Sequence, residues 1–281
     1  MFLIQKVIYT SFFILVFVFG YGASLYYKKT HPKYIPIPPR EEVVVTIIPG
    51  WTLRQVAEYL VKLGFASSTE DVYRYTGEPA RDYRMVASTF PKLVDDLRIL
   101  KDKPDHVSYE GYLAPETYRV FRDATVLDIL QKLISQRDLE IDQQNWSDIT
   151  KSGKSLYEII TVASLLEKEA QTPEDKAKVA DVLWRRLAKG WALQLDSTVH
   201  YAVDRTGDVF TTDKERDVES PWNTYKYPGL PLGPIANPGI ESIKAALYPE
   251  KNNYWYFLAG KDGTIYYGRT LEEHNANKKH L

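Results

Sequence analysis

The sequence predicts an α+β protein in three parts: an apolar N-terminal helix, a small α/β module and a larger mixed α+β domain. Three observations lead there. Residues Val7 to Tyr27 carry no charged side chain. "EVVVTIIPG" beside "WTLRQVAEYLVKLG" sets a strand next to a helix, and helical spacings from Thr125 to Gly190 give way near the C-terminus to a β-hairpin pattern.

The composition agrees. At 281 residues, with 44% hydrophobic and 13% aromatic content, the chain can bury a sizeable core and has room for one large or two modest domains. Lys and Arg number 36 against 37 Asp and Glu, a net charge of -1, so no basic field exists to hold a polyanion and nucleic acid is not expected as a partner. There is no cysteine, which excludes disulfides, thiolate-bound zinc and thiol nucleophiles and leaves the compartment open.

The first part is residues 7–27, "VIYTSFFILVFVFGYGASLYY", preceded by a short tail at 1–6. As a helix it is about 30 Å long, enough to cross a bilayer core. Tyr9 near one end and Tyr21, Tyr26 and Tyr27 near the other match interfacial aromatic belts. A cleaved signal peptide would also begin with Lys6 and end in small residues, but this apolar run exceeds the usual signal-peptide core of roughly 7–15 residues, which favours an uncleaved anchor. Lys28 and Lys29 outnumber Lys6, so charge counting does not support an N-inside orientation, whereas a large soluble remainder translocates largely regardless of flanking charge. Residues 28–40 then form a linker, stiffened by four prolines between positions 32 and 39.

The second part spans 41–104. A strand closes at a Pro49-Gly50 turn, a helix follows with Leu53, Val56, Ala57, Leu60, Val61 and Leu63 at helical spacing and Gly64 as its stop, and Thr69 to Tyr75 adds a second short helix. Packing module and glycan-binding module remain equally open on pattern alone. "KDKPDH", 101–106, is the boundary to the third part, 105–281. There "YEGYLAPETYRV" is turn-rich and carries Glu110 and Glu116, and Thr125 to Gln143 is an amphipathic helix.

The next helix carries "TVASLLEKEAQ". At about 100° per residue, Ile159, Val162, Ala163, Leu166 and Ala170 form one stripe, and Glu167 and Glu169 fall on its opposite shoulders. They cannot act together on one bond. Glu169 lies over Leu165 and Leu166, Glu167 over Ala163 and Ser164. A carboxyl among large aliphatic groups loses hydration and its pKa rises, which suits a general acid near neutral pH, so Glu169 is the better catalytic candidate. The competing reading is a solvated Glu-Lys-Glu face. "TPEDKAKVADVLWRRLAKG" is the following helix, with Thr172 as N-cap, Pro173 in its first turn and Gly190 as its stop. The almost absent loop forces a corner beside Glu169.

Downstream, polar and aromatic residues concentrate in stretches that read as loops. "WALQLDSTVHYAV" offers Gln194, Asp196, Ser197, Thr198 and Tyr201; "SPWNTYKYPGLPLGPIANPG" offers Trp222, Asn223, Tyr225 and Tyr227 among five prolines and three glycines. Amides, hydroxyls and flat aromatic faces on stiff loops suit an uncharged, hydroxyl-rich ligand such as a glycan, and equally describe a proline-stiffened surface loop. "YWYFLAGKDGTIYYG" is a hairpin turning at Lys261-Asp262-Gly263, and "RTLEEHNANKKHL" a polar terminal helix. Five histidines show no metal spacing, and no Gly-rich phosphate loop or Gly-x-Ser-x-Gly elbow is present, so neither metal nor cofactor is expected.

Taken in order, "IIPGWTLRQVAEYLVKLGF", "EGYLAPETY", "ASLLEKEA", "VLWRRLAKGWALQLDSTVHYA", "NTYKYPGLPLGPIANPGIESIKAAL" and "YWYFLAGKDGTIYYGRTLEEHN" resemble the endolytic murein transglycosylase family, MltG or YceG-like, over nearly the whole chain. The resemblance implies a bacterial inner-membrane protein with a single span and a cytoplasmic tail at 1–6. It implies a LysM-like module, a mixed α+β lysozyme-like catalytic domain outside the membrane, and cleavage within nascent peptidoglycan strands. Glu169 matches the family's catalytic acid. Gln194, Asp196, Ser197, Thr198, Asn223 and Tyr225 match polar cleft positions, while Glu167 and Glu110 are supporting charges. Peptidoglycan synthases are the implied partners. Ser197 stands where the family usually has proline, and the segment before "EGYLAPETY" is short.

One carboxyl suffices for the implied lytic reaction. Two rivals stay open at this point: a muramidase that pairs Glu169 with Asp196 or Glu110 across the bond and uses water, and a catalytically silent, membrane-anchored glycan-binding scaffold.

Overall fold

The computed structural model describes residues 2–30, 39–84, 93–94, 97–143, 146–205 and 211–281, with side chains omitted for 2–12 and 142–143. Met1–Glu41 and Glu42–Leu281 are two units.

The first unit is α1, Phe2–Thr30, a continuous helix whose described side chains begin at Phe13. From Phe13 to Tyr27 its large hydrophobic side chains are exposed. Among the described residues no helix is long and apolar enough to cross a membrane. The span predicted over 7–27 therefore lies partly outside what is described, as does the proline-rich linker.

The second unit opens with β1, Glu42–Thr46, followed by α2, Leu53–Lys62, and α3, Thr69–Thr76. A capping box starts α2: Gln55 N–H donates to Thr52 Oγ1 and Thr52 N–H to Gln55 Oε1. Leu53, Val56, Ala57 and Leu60 are then fully buried at the predicted spacing. β2, Thr117–Phe121, pairs antiparallel with β1, placing Val43 opposite Val120 and Val45 opposite Tyr118. The sequence predicts turns over this stretch. It is a strand because Tyr118 and Val120 alternate into the core and β1 supplies the ladder partner, which only the tertiary fold brings near. The sheet thereby joins residues on both sides of the 101–106 break.

A helical body follows: α4, Val126–Gln143; α5, Trp146–Ser152; α6, Leu156–Glu169; and α7, Pro173–Ala188. α6 is the centre of the core. Its buried residues include Ile160, Thr161, Ser164 and Leu165 as well as the predicted stripe, so the helix is enclosed nearly all round rather than on one side.

The "DSTVHYA" stretch, read as a loop, is α8, Asp196–Ala202. Burial of Thr198, Val199 and Tyr201 overrides the weak helix propensity of its β-branched and polar residues. The short α9, Asp213–Arg216, leads into the proline-rich loop, which ends at α10, Ile240–Leu247, packed on α6 and α7. The chain closes with the expected hairpin of β3, Tyr256–Ala259, and β4, Ile265–Gly268, and with α11, Leu271–Asn277.

Candidate active site

Enclosure of α6 makes its end the place where polar chemistry can surface. Ala170 leaves the helix in an extended conformation, φ -142° and ψ 145°, and Thr172 caps α7 by accepting the Asp175 N–H at 3.1 Å with Pro173 in the first turn. The corner leaves Glu169 half-buried at the meeting point of two cavities. One, about 590 Å³, runs between residues 167–171 and the hairpin turn at Ala259–Gly263. The other, about 430 Å³, is walled by Arg186, Gln194, Asp196, Arg216, Tyr225, Tyr256 and His274. Together they form one cleft with Glu169 in its floor.

Glu169 accepts a hydrogen bond from Ser197 Oγ at 2.5 Å. Its pKa is pushed up from 4.5 to about 7, first by loss of hydration, with nearby Asp196 adding to the rise, while the Ser197 hydroxyl and Arg186 act against it. A carboxyl that is part protonated near neutral pH can give a proton and then take one back.

Glu167 faces elsewhere. It accepts from Lys176 Nζ at 3.1 Å, from Gly239 N–H at 3.0 Å and from Ser242 Oγ, tying α6 to α7 and to the first turn of α10. Glu110 is fully buried, accepting the Leu53 N–H on both oxygens at 2.9 Å and Asn237 Nδ2 at 3.0 Å. It lines neither cavity. Burial raises its pKa to about 7, against the opposing Leu53 amide and Tyr201 hydroxyl.

The other predicted residues divide by burial. Asp196 lines the cleft, accepting from Tyr225 Oη at 2.7 Å and Thr211 Oγ1 at 2.6 Å with Arg216 at 3.7 Å. Gln194 is exposed in the same wall, at φ +54°, a left-handed conformation unusual outside glycine. Thr198 is fully buried, bonded to Leu195 O at 2.7 Å and Thr224 Oγ1 at 2.9 Å. Asn223 is fully buried too, its Nδ2 donating to Arg216 O at 2.8 Å and Val218 O at 2.9 Å. Thr198 ties the start of α8, which carries Asp196, to the loop that carries Tyr225, Asn223 braces that loop, and neither lines the cleft. Trp222 is buried, its ring 6.0 Å from that of Tyr201, so it offers no open face.

Sequence reasoning missed Arg186, Tyr256 and His274. Arg186 is a buried side chain of α7 that donates to Leu193 O at 2.7 Å and Trp255 O at 2.6 Å, tying the segments just before α8 and β3 to the helix. In sequence it is one of two arginines in a basic last turn, and nothing marks which one turns inward. Among the described residues no group of three or more His, Asp or Glu side chains is placed to hold a metal ion.

Comparison with known proteins extends the picture. A model of the YceG-like family matches residues 30–280. An endolytic murein transglycosylase of Bacillus subtilis is 41% identical over 171 residues, 60% of this chain and 47% of that protein. One from Streptococcus pneumoniae is 28% identical over 249 residues, 85% of this chain and 45% of that protein. A crystal structure of a YceG-like protein from Listeria monocytogenes superposes with a TM-score of 0.70 at 33% identity, covering 91% of this chain and 80% of that one. The chain thus spans about half the length of the curated relatives it matches.

Proposed function

The chain belongs to the YceG-like family, and on that footing we propose that it is an endolytic peptidoglycan lytic transglycosylase in which Glu169 alone serves as acid and then base. The observation that carries the reading is Glu169 itself: a half-buried carboxyl in the floor of a cleft, its pKa raised to about 7 and Ser197 its one hydrogen-bond donor among the described residues.

The protonated carboxyl gives its proton to the glycosidic oxygen between N-acetylmuramic acid and N-acetylglucosamine as the C1–O bond breaks. The carboxylate then takes the proton of the muramoyl 6-hydroxyl while that oxygen bonds to C1, closing a 1,6-anhydro ring. No water is consumed and Glu169 ends protonated, ready for the next cycle. Asp196, positioned by Tyr225 and Thr211, raises the pKa of Glu169 and so favours the protonated acid at the start. Gln194 and Tyr225 supply polar groups along the wall a strand would follow.

In the same reading, residues 7–27 anchor the chain in the bacterial cytoplasmic membrane, 28–40 space it from the surface, and the folded unit works on the outer side beside peptidoglycan synthases. The charge-free run supports the anchor. The LysM-like module is proposed over 41–104, which holds β1, α2 and α3, and the catalytic domain over 105–281, whose β2 pairs with β1 across that boundary.

The test is to incubate the protein with purified glycan strands and examine the new ends by mass spectrometry. Anhydro ends support the lyase. Reducing ends would mean that Asp196 directs water as a second carboxylate, and no release would leave a binding scaffold. Glu169→Gln should abolish anhydro product and Glu167→Gln should retain it; the opposite pattern would overturn the assignment.

A further inference from the structure

α7 ends at Ala188, with Gly190 at φ +68°. The Trp191 N–H donates to Arg186 O at 2.9 Å and the Gly190 N–H to Leu187 O at 3.0 Å, the paired bonds of a Schellman turn. That turn sends the chain outward, and Trp191 emerges 44% exposed. Its ring lies 4.8 Å from that of Trp255, tilted by 40°, and 6.4 Å from that of Tyr256. Tyr256 in turn stacks on His274 at 5.3 Å, and both line the cleft that holds Glu169. A row of rings therefore leads from the exposed Trp191 into the cleft wall.

The row is rigid. Arg186 donates to Leu193 O and to Trp255 O, so one buried guanidinium fixes the loop after Trp191 and the start of β3 together. Arg185 lies over the Trp255 ring at 5.2 Å and donates to Tyr254 O at 2.6 Å. Trp255 thus meets both Arg185 and Trp191, and Trp191 keeps much of its surface open. A large ring seated on such a neighbour has less rotamer freedom to lose when a ligand arrives than a ring standing alone. The π-face carries negative charge density and meets the weakly positive C–H face of a pyranose, a neutral and flat ligand.

We propose that Trp191, backed by Trp255, is a stacking platform for a sugar ring at a subsite remote from the scissile bond, and that it makes binding depend on glycan length. This rests on the glycan-cleaving function above. The platform adjoins the cleft through Tyr256, which lines it beside Glu169, while Trp191 itself stands outside that lining, so a strand held at Glu169 reaches it only when long enough.

The experiment uses the full chain carrying Glu169→Gln, so that binding is read without cleavage, and titrates it calorimetrically with peptide-free glycan oligosaccharides of increasing length. Adding Trp191→Ala should weaken binding of long strands about tenfold, within the range of aromatic contacts, and leave the shortest unchanged. Trp191→Tyr, which keeps a flat ring, should retain most of the affinity. Trp191→Leu, which keeps apolar bulk on Trp255 but cannot stack, should bind as weakly as the alanine variant and guards against loss of fold in the latter. With Glu169 intact, Trp191→Leu should raise KM for long strands and leave kcat unchanged. Equal affinity of the leucine variant and its parent for long strands overturns the platform. Cleavage that proceeds without dependence on Trp191 sinks this inference alone, whereas absence of any glycan binding or cleavage in the unaltered chain sinks the proposed function.

Discussion

Ser197 donates its hydroxyl to Glu169 Oε1 across 2.5 Å, joining the last residue of α6 to the second residue of α8, 28 positions along the chain. The bond favours the charged carboxylate and so restrains a pKa that burial drives up to about 7. In the proposed reaction the first step needs the protonated acid, so release of anhydro product should fall as pH rises through about 7. Ser197→Ala removes the donor and should move that falling limb to higher pH. The check is kcat/KM against pH for both proteins; an unmoved limb would separate Ser197 from the acid's titration.

Glu110 titrates without lining the cleft, and its signature is stability. Its pKa is raised from 4.5 to about 7 in the folded chain. Between those values the unfolded chain has released the proton and the folded chain still holds it. Stability therefore falls as pH rises across this window, by about 3 kcal/mol for this one group. Glu169 shifts in the same direction, so Glu110→Gln should reduce the slope rather than abolish it. Denaturant midpoints at pH 5 and pH 8 measure the difference, and a Glu110→Gln protein with the full slope would refute the assignment.

Glu167 and Lys176 are only 10% and 9% exposed, and their ion pair spans 3.1 Å. Glu167→Ala would leave the ammonium buried and unpaired, along with the Gly239 N–H and the Ser242 hydroxyl. The expected loss is about 3 kcal/mol. Thermal unfolding should show it as a clearly lower Tm, with Glu167→Gln intermediate because its amide oxygen can still accept the Gly239 N–H.

Gln194 holds a left-handed backbone at φ +54° while its side chain stands exposed in the cleft wall. Gln194→Gly should relieve the strain and add about 1 kcal/mol of stability, while kcat/KM on glycan strands falls. Stability and turnover moving together in this variant would take Gln194 out of the site.

Several elements were legible in the sequence because local chemistry is enough to specify them. Thr52 and Gln55 at the start of α2, Thr172 and Pro173 at the start of α7, and the hairpin around residues 260–264 need only near neighbours. The opposed directions of Glu167 and Glu169 follow from helix periodicity, and the partners each carboxylate meets agree with it. β2 and α8 were not legible, because a strand needs its ladder partner and a short helix of Ser, Thr and Val needs burial to outweigh its propensity.

The sequence by itself determined the helix that presents Glu169, the corner that ends it and the family to which the chain belongs. Only the tertiary structure decided that Thr198 and Asn223 brace α8 and the proline-rich loop while Arg186, Tyr256 and His274 line the cleft. The physical reason is that hydrogen-bond partners and burial are set by segments far apart in the chain. A threonine or arginine has the same local pattern whether it turns toward a ligand or toward a carbonyl in the core.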